Sequence, residues 1–228
     1  MVKKIEVAGI QLDNYTVRES MMQVDKNISA AGLYTIEEVN MDMILHAGTD
    51  ESLKKVLSFL NQTIISENAI LKAVNQLTMQ RQHEIQDHTF FFELMKYLER
   101  NQKAVFLLGE TDEETRRMQN FMLQSFPRMN ICKMEILEQY TGEFDSVIND
   151  LNAEAPDAVV SILSHPRQEN FLETYRDKIS AGLWYGMGTL KPVSRQFRIK
   201  SFLQERVKIR ALVKHILKYQ EQEEIKNE

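Results

Sequence analysis

The 228-residue sequence has one cysteine, Cys132, so neither a disulfide framework nor a thiolate metal cluster can be built. The apolar neighbours of Cys132 point to a buried, inert thiol. No internal repeat is visible, and no apolar run approaches the roughly 20 residues of a membrane span. The opening Met1-Val-Lys-Lys-Ile-Glu6 passes straight into a strand pattern, without the long apolar stretch and small-residue cleavage site of a signal peptide, so a cytoplasmic protein is expected. The five histidines are scattered, and His83 and His88 stand five apart, off a common helix face, so no metal site is expected. No aromatic stacking platform or known nucleic-acid motif accompanies the basic residues, and nucleic acid is not expected as a partner.

What is present is ordinary soluble composition, 43% hydrophobic and 27% charged, in a chain long enough for one full core. Charge is unevenly spread. Residues 194–218 carry eight Lys/Arg against one Glu, a net +7 within a chain whose total is −5. From Phe197 to Tyr219 the apolar residues Phe202, Leu203, Val207, Ile209, Leu212, Val213, Ile216 and Leu217 interleave with those cations. Two readings stay open: a terminal helix packed on the domain with a solvated basic face, or an element that binds an anionic membrane surface or a partner. The division expected is an α/β domain over 1–192 and a basic amphipathic C-terminal helix over 193–228.

Short apolar strands and amphipathic helices alternate along the body. Strands are predicted at Ile5–Val7, Leu33–Ile36, Thr63–Ile65, Ala104–Leu108, Ile131–Ile136, Ala158–Leu163 and Gly182–Tyr185. Helices are predicted at Val17–Ala31, Asn40–Ala47, Glu51–Leu60, Ala69–Leu77, Phe90–Leu98, from Thr111 towards Leu123, and at Glu143–Leu151. Thr111 and Glu114 have the spacing of a capping box. The polar, glutamine-rich Thr78–Asp87 shows no clear period and reads as a loop. Continuous apolar strands between helices imply a mostly parallel sheet covered on both faces, a Rossmann-like three-layer α/β domain.

The clearest junction is Pro156–Leu172, where a buried strand hands over to a helix carrying Phe171, Leu172 and Tyr175 at helical spacing. Pro166 suits the first helical position. Arg167, Gln168 and Glu169 then fall above the carboxyl end of a strand, where open α/β sheets bind ligands. His165, beside them, reads as an N-terminal corner residue.

Pro166-Arg-Gln-Glu169 resembles the Pro-Lys-Gln-Glu signature of the WecG/TagA/CpsF family of bacterial glycosyltransferases. Val7-Ala-Gly-Ile-Gln-Leu-Asp13 is similar to that family's opening strand and turn, Val39-Asn40 to its Thr-x-Asn region, Val105-Phe-Leu-Leu-Gly109 to its central strand, and Gly186-Met-Gly188 to its late glycine turn. The likeness spans roughly residues 4 to 192. It implies transfer of an N-acetylhexosamine-type sugar from a UDP-sugar donor to a lipid-linked acceptor in surface-polysaccharide or teichoic acid synthesis. It also implies a peripheral position at the inner face of the cell membrane. No metal-binding Asp-x-Asp occurs, and no cofactor is expected.

Carried over position by position, the resemblance makes Asn40, Gln168 and Glu169 holders of nucleotide or sugar groups. Arg167 stands for a lysine, and Gly109 and Gly188 allow close backbone approach. The family's Asp-Gly falls on Ser66-Glu67-Asn68, with Ser66 or Glu67 in place of the aspartate base; Glu67 is the carboxylate of the two and the expected catalytic base. Other positions depart. Glu38 replaces a threonine, Glu84 falls near an expected arginine, Asp87 and Thr89 near a glycine and an aspartate, and Ser164 replaces a small glycine. These departures carry the alternative reading, a catalytically lapsed relative acting as a binding or scaffolding subunit. A homo-oligomer or a partner transferase is then the expected assembly.

Overall fold

The computed structural model describes residues 3–188 and 212–219. Two strands, β1 (Lys4–Val7) and β2 (Ile10–Asp13), form an antiparallel hairpin turned at Ala8-Gly9, both with positive φ. The other six strands, β3 (Tyr34–Val39), β4 (Gln62–Ile65), β5 (Ala104–Gly109), β6 (Asn130–Ile136), β7 (Ala158–Ser161) and β8 (Leu183–Gly186), make one parallel sheet in the order β4-β3-β8-β7-β5-β6. Nine helices connect them among the described residues: α1 (Val17–Asn27), α2 (Met41–Ala47), α3 (Glu51–Phe59), α4 (Asn68–Ala73), α5 (Met79–Gln86), α6 (Thr89–Arg100), α7 (Asp112–Ser125), α8 (Asp145–Glu154) and α9 (Arg167–Tyr175). The three-layer α/β expectation is met.

Burial on both faces explains the apolar strands. Every residue of β7 and β8 is buried. Val105, Leu107, Val160, Leu183 and Tyr185 meet α1, α6 and α7 on one face, while Phe106, Leu108, Val159 and Trp184 meet α8 and α9 on the other. A third cluster joins the hairpin to α2, α3 and α4. The hairpin is tied to edge strand β4 by Asp13 N–H donating to Thr63 Oγ1 at 2.7 Å and Thr63 N–H donating to Asp13 Oδ2 at 2.9 Å. Side-chain caps start the helices: Thr16 for α1, Asn40 for α2, Asp50 for α3, Thr78 for α5 and Thr111 for α7.

Three expectations need correction. Residues 78–87 are not a loop but α5, whose buried positions are Arg81 and Ile85, so a charged residue occupies half of the inward stripe. Strand β3 does not stop at Ile36 but runs through Glu37 and Glu38 to Val39, because each glutamate finds a donor on β8. Pro166 precedes α9 rather than opening it, and the His165–Pro166 peptide is cis. Cys132 is half-buried; burial pushes its thiol up, favouring the neutral form.

Residues 212–219 are helical. Leu212 is buried against the hairpin cluster and Ile216 packs at its edge. Lys54 sits over the Tyr219 ring at 5.7 Å. This stretch of the tail is therefore packed on the domain. The tail positions Arg195, Arg198, Lys200, Phe202, Arg206, Lys208, Ile209 and Arg210 lie outside the described residues, as does the run from Thr189 to Pro192.

Candidate functional site

The sheet presents its carboxyl ends in the order β4, β3, β8, β7, β5, and the loops leaving them carry nearly every residue singled out by sequence. The chain reverses direction around β5, whose neighbours β6 and β7 are entered on opposite sides, and such switch points are where open α/β sheets form a crevice.

At the β7–α9 corner the first helical turn points inward. Gln168 and Glu169 are each only 1% exposed. Gln168 lies against the bare Cα of Gly186, where a Cβ would come within 2.5 Å of its Nε2, and its Oε1 accepts from Gly188 N–H at 3.4 Å. Glu169 Oε2 pairs with His165 Nδ1 at 3.0 Å, and His165 Nε2 meets His46 Nδ1 at 3.0 Å. Behind them lies Glu37, fully buried in β3, which accepts from Trp184 Nε1 at 3.3 Å. Burial first, and then the charge of Glu169, push the Glu37 carboxyl well above the usual range, so it favours its neutral form. Glu37 Oε2 and Glu169 Oε1 are buried without a hydrogen-bond partner among the described residues.

One step along the sheet, Glu110 follows β5 and organises the same corner. It accepts from Ser164 N–H at 3.0 Å, from the Ser164 hydroxyl, and from Arg167 Nη1 at 3.1 Å. Burial would raise this carboxyl, but those donors together hold it below its ordinary value. Arg167 also stacks over Phe144 at 5.8 Å. Ser164, standing where the resemblance has glycine, thus spends its hydroxyl on Glu110.

Asn40 and Glu67 leave the adjacent strands β3 and β4 and converge on the start of α2: Asn40 Oδ1 accepts from Met43 N–H at 2.9 Å, and Glu67 Oε2 from Met41 N–H at 3.4 Å. Ser66 donates its hydroxyl to Val39 O at 3.0 Å. On the opposite face of β3, Glu38 accepts from Tyr185 Oη at 2.5 Å. Beside it is a cavity of about 20 Å³, room for about one water, lined by Glu38, Ser66, Arg81, Glu84 and His88. Arg81 is 4% exposed and bridges to Glu84 at 2.7 Å, and Glu84 also accepts from Val17 N–H at 3.2 Å.

The fold therefore brings Gln168, Glu169 and Gly188 into one group, Asn40 and Glu67 into a second beside it, and Arg167 into a third with Glu110. Gly109 serves packing: a Cβ there would fall 1.8 Å from Thr115 Oγ1, so its absence lets α7 start close against β5. Gly188 has φ +69, a conformation that glycine adopts without strain. Sequence reasoning missed Glu37, Glu110 and His46, and read His165 as a corner residue only. A carboxylate inside a run of central-strand residues was the available signal for Glu37.

The sequence profile of the Glycosyl transferase WecG/TagA/CpsF family matches residues 5–194. Relatives from Staphylococcus aureus strains NCTC 8325 and COL are each 21% identical over 188 residues, covering 81% of this chain and 73% of the relative. Each is named N-acetylglucosaminyldiphosphoundecaprenol N-acetyl-beta-D-mannosaminyltransferase. The protein of strain MRSA252, with the same name, matches at the same identity and coverage.

Proposed function

The chain belongs to the Glycosyl transferase WecG/TagA/CpsF family, and on that premise we propose that it moves an N-acetylhexosamine from a UDP-sugar onto a lipid-linked acceptor. The names of the staphylococcal relatives make N-acetylmannosamine as the sugar and N-acetylglucosaminyldiphosphoundecaprenol as the acceptor the first pair to test. The comparisons do not favour a lapsed scaffold, since those relatives are named as transferases.

The observation that carries the reading is the Gln168–Glu169 pair. An amide and a carboxylate buried at strand ends cost stability unless fully hydrogen-bonded, and here Glu169 Oε1 lacks a partner among the described residues. Unspent buried polarity in a crevice is what a ligand with hydroxyl and amide groups would satisfy. In this reading Gln168, Glu169, Asn40 and the Gly188 backbone hold the donor. Arg167, oriented by Glu110, borders them, and Gly109 keeps the β5 corner tight. Glu67 takes the acceptor hydroxyl proton while the acceptor oxygen bonds to the anomeric carbon and the bond to the diphosphate breaks.

A peripheral membrane position is part of the proposal. Among the described residues no helix is long and apolar enough to span a bilayer. Residues 212–219 leave Val213 and Leu217 exposed beside the exposed Lys214 and Lys218, a pairing suited to an anionic leaflet holding the acceptor.

Titration calorimetry with a panel of UDP-sugars, followed by a UDP-release assay with the lipid-linked acceptor, tests the reading. Binding and acceptor-dependent UDP release are expected. A folded protein that binds none of the panel and releases no UDP would overturn it.

A further inference from the structure

We propose that Glu169, His165 and His46 form a proton relay whose outer atom, His46 Nε2, donates to the diphosphate leaving group of the sugar donor. The inference rests on the transferase reading and adds to it the group that receives the departing charge.

The relay follows from two contacts. A carboxylate only accepts, so the 3.0 Å contact between Glu169 Oε2 and His165 Nδ1 places hydrogen on Nδ1. His165 Nε2 is then an acceptor, and the 3.0 Å contact with His46 Nδ1 places hydrogen on that atom too. One imidazole nitrogen is left outside these two contacts, His46 Nε2, on a residue exposed to solvent. The rings stack with centroids 5.2 Å apart and planes 23° apart, which fixes their mutual orientation. A proton added at Nε2 brings a positive charge that faces buried Glu169 through His165, as in any carboxylate-backed imidazole.

Position points to the diphosphate. His46 lies on the helix that follows β3, and His165 follows β7; the two strands are separated by β8, so the contact bridges the carboxyl end of β8, where Gly186 and Gly188 meet Gln168. Among the described residues, the guanidinium groups bordering the strand ends are committed: Arg167 to Glu110 at 3.1 Å and Arg81 to Glu84 at 2.7 Å. His46 can gain positive charge without giving up an ion pair. The titratable groups about the relay are Glu37 behind Glu169, Asp42 one helical turn before His46, Asp50 at the head of α3, Glu173 and Lys55 paired between α9 and α3, and His215, which packs against Gly48.

The step balances. The acceptor oxygen bonds to the anomeric carbon and its proton passes to Glu67. The carbon–oxygen bond to the diphosphate breaks, and the electron pair stays on the phosphate oxygen, which takes the proton of His46 Nε2. Solvent then reprotonates His46 and removes the proton from Glu67.

The test uses the full chain with the UDP-sugar that it turns over, comparing His46→Gln and His165→Asn with the unmodified protein. His46→Gln is expected to lower kcat by about 10²-fold, the usual size of such a contribution. In the unmodified protein both kcat and UDP affinity should fall as pH rises, the direction expected when the group that neutralises the leaving charge loses its proton. His46→Gln should lose that dependence, whereas His165→Asn, which keeps the His46 imidazole but cuts it from Glu169, should lower kcat and retain a pH dependence; both should keep the circular dichroism of the parent. If the parent turns over and His46→Gln matches it in kcat and in the pH dependence of UDP binding, the relay is refuted and the transferase reading stands. A parent that neither binds UDP nor turns over overturns both.

Discussion

Trp184 donates its indole N–H to Glu37 at 3.3 Å, and on the opposite face of the sheet the next residue, Tyr185, donates its hydroxyl to Glu38 at 2.5 Å. Two consecutive glutamates are thus held inside a parallel sheet by two consecutive aromatic donors on the neighbouring strand. The cost falls on Glu37, which is fully buried and faces Glu169.

That cost has a pH signature. Burial and Glu169 raise the Glu37 pKa in the folded state. A carboxyl raised on folding contributes its stability below the unfolded value, about 4.3, and loses it as pH rises through the folded one. Glu37→Gln keeps an acceptor for Trp184 and removes the titration. The variant should match the parent near pH 4 and exceed it near pH 8 by a few degrees in Tm, on the order of 1 kcal/mol. Equal melting curves at both pH values would show that Glu37 does not carry this penalty.

Gly186 and Gln168 are expected to act as one element. Gln168→Ala should weaken UDP-sugar binding by about 1–3 kcal/mol, the cost of leaving a buried polar partner unsatisfied. Gly186→Ala should reproduce the loss by displacing the amide rather than removing it, because its Cβ would come within 2.5 Å of Gln168 Nε2 and 2.9 Å of Glu37 Cγ. Calorimetry on the two single variants and the double variant checks the coupling; losses that simply add would separate the two positions.

Glu67→Gln should lower kcat by roughly 10²-fold and leave the donor Kd near the parent value, since a base acts on the acceptor hydroxyl. Unchanged turnover would remove Glu67 from the mechanism.

Much of this was readable in the residues. The β7–α9 corner stands out because a mostly apolar run, 158–163, ends abruptly in Ser164-His165-Pro166, and the strand β5 because its apolar run is bounded by Lys103 and Gly109. The misses share a cause: charged side chains doing core work. Strand β3 looks finished at Ile36 because nothing local reveals that Trp184 and Tyr185, almost 150 residues away, will meet its glutamates. Helix α5 looks like a loop because Arg81 fills an inward position that periodicity reserves for an apolar residue. The His46–His165 contact links residues 119 apart and leaves no mark in either local pattern.

Arg81 is a second charged residue held in the core by a partner. Arg81→Met should destabilise the protein by about 3–5 kcal/mol, because it strands the nearly buried Glu84 carboxylate. Adding Glu84→Gln should recover most of that loss, since the Val17 N–H keeps an acceptor and no unpaired charge remains. Chemical denaturation of the single and double variants measures it; a double variant as unstable as the single one would rule out charge stranding as the cause.

The helix at 212–219 faces two ways, and the two faces should separate by mutation. Leu212 is fully buried with the hairpin cluster, so Leu212→Ala should cost about 2–5 kcal/mol of stability, the usual range for a buried leucine. Leu217 is 54% exposed and stands one turn from Val213, with Lys214 and Lys218 alongside. Leu217→Glu should leave Tm nearly unchanged. If this face meets an anionic leaflet, each lysine near the surface contributes up to about 1 kcal/mol and falls away with salt over a Debye length of about 8 Å. A glutamate in place of Leu217 removes apolar insertion and adds repulsion, so co-sedimentation with phosphatidylglycerol vesicles at low salt should drop several-fold. The body of the protein opposes attachment, because residues outside 194–218 carry a net −12, but screening confines that repulsion to surfaces close to the leaflet. A Leu217→Glu variant that pellets with vesicles as well as the parent would show that this face does not touch the membrane.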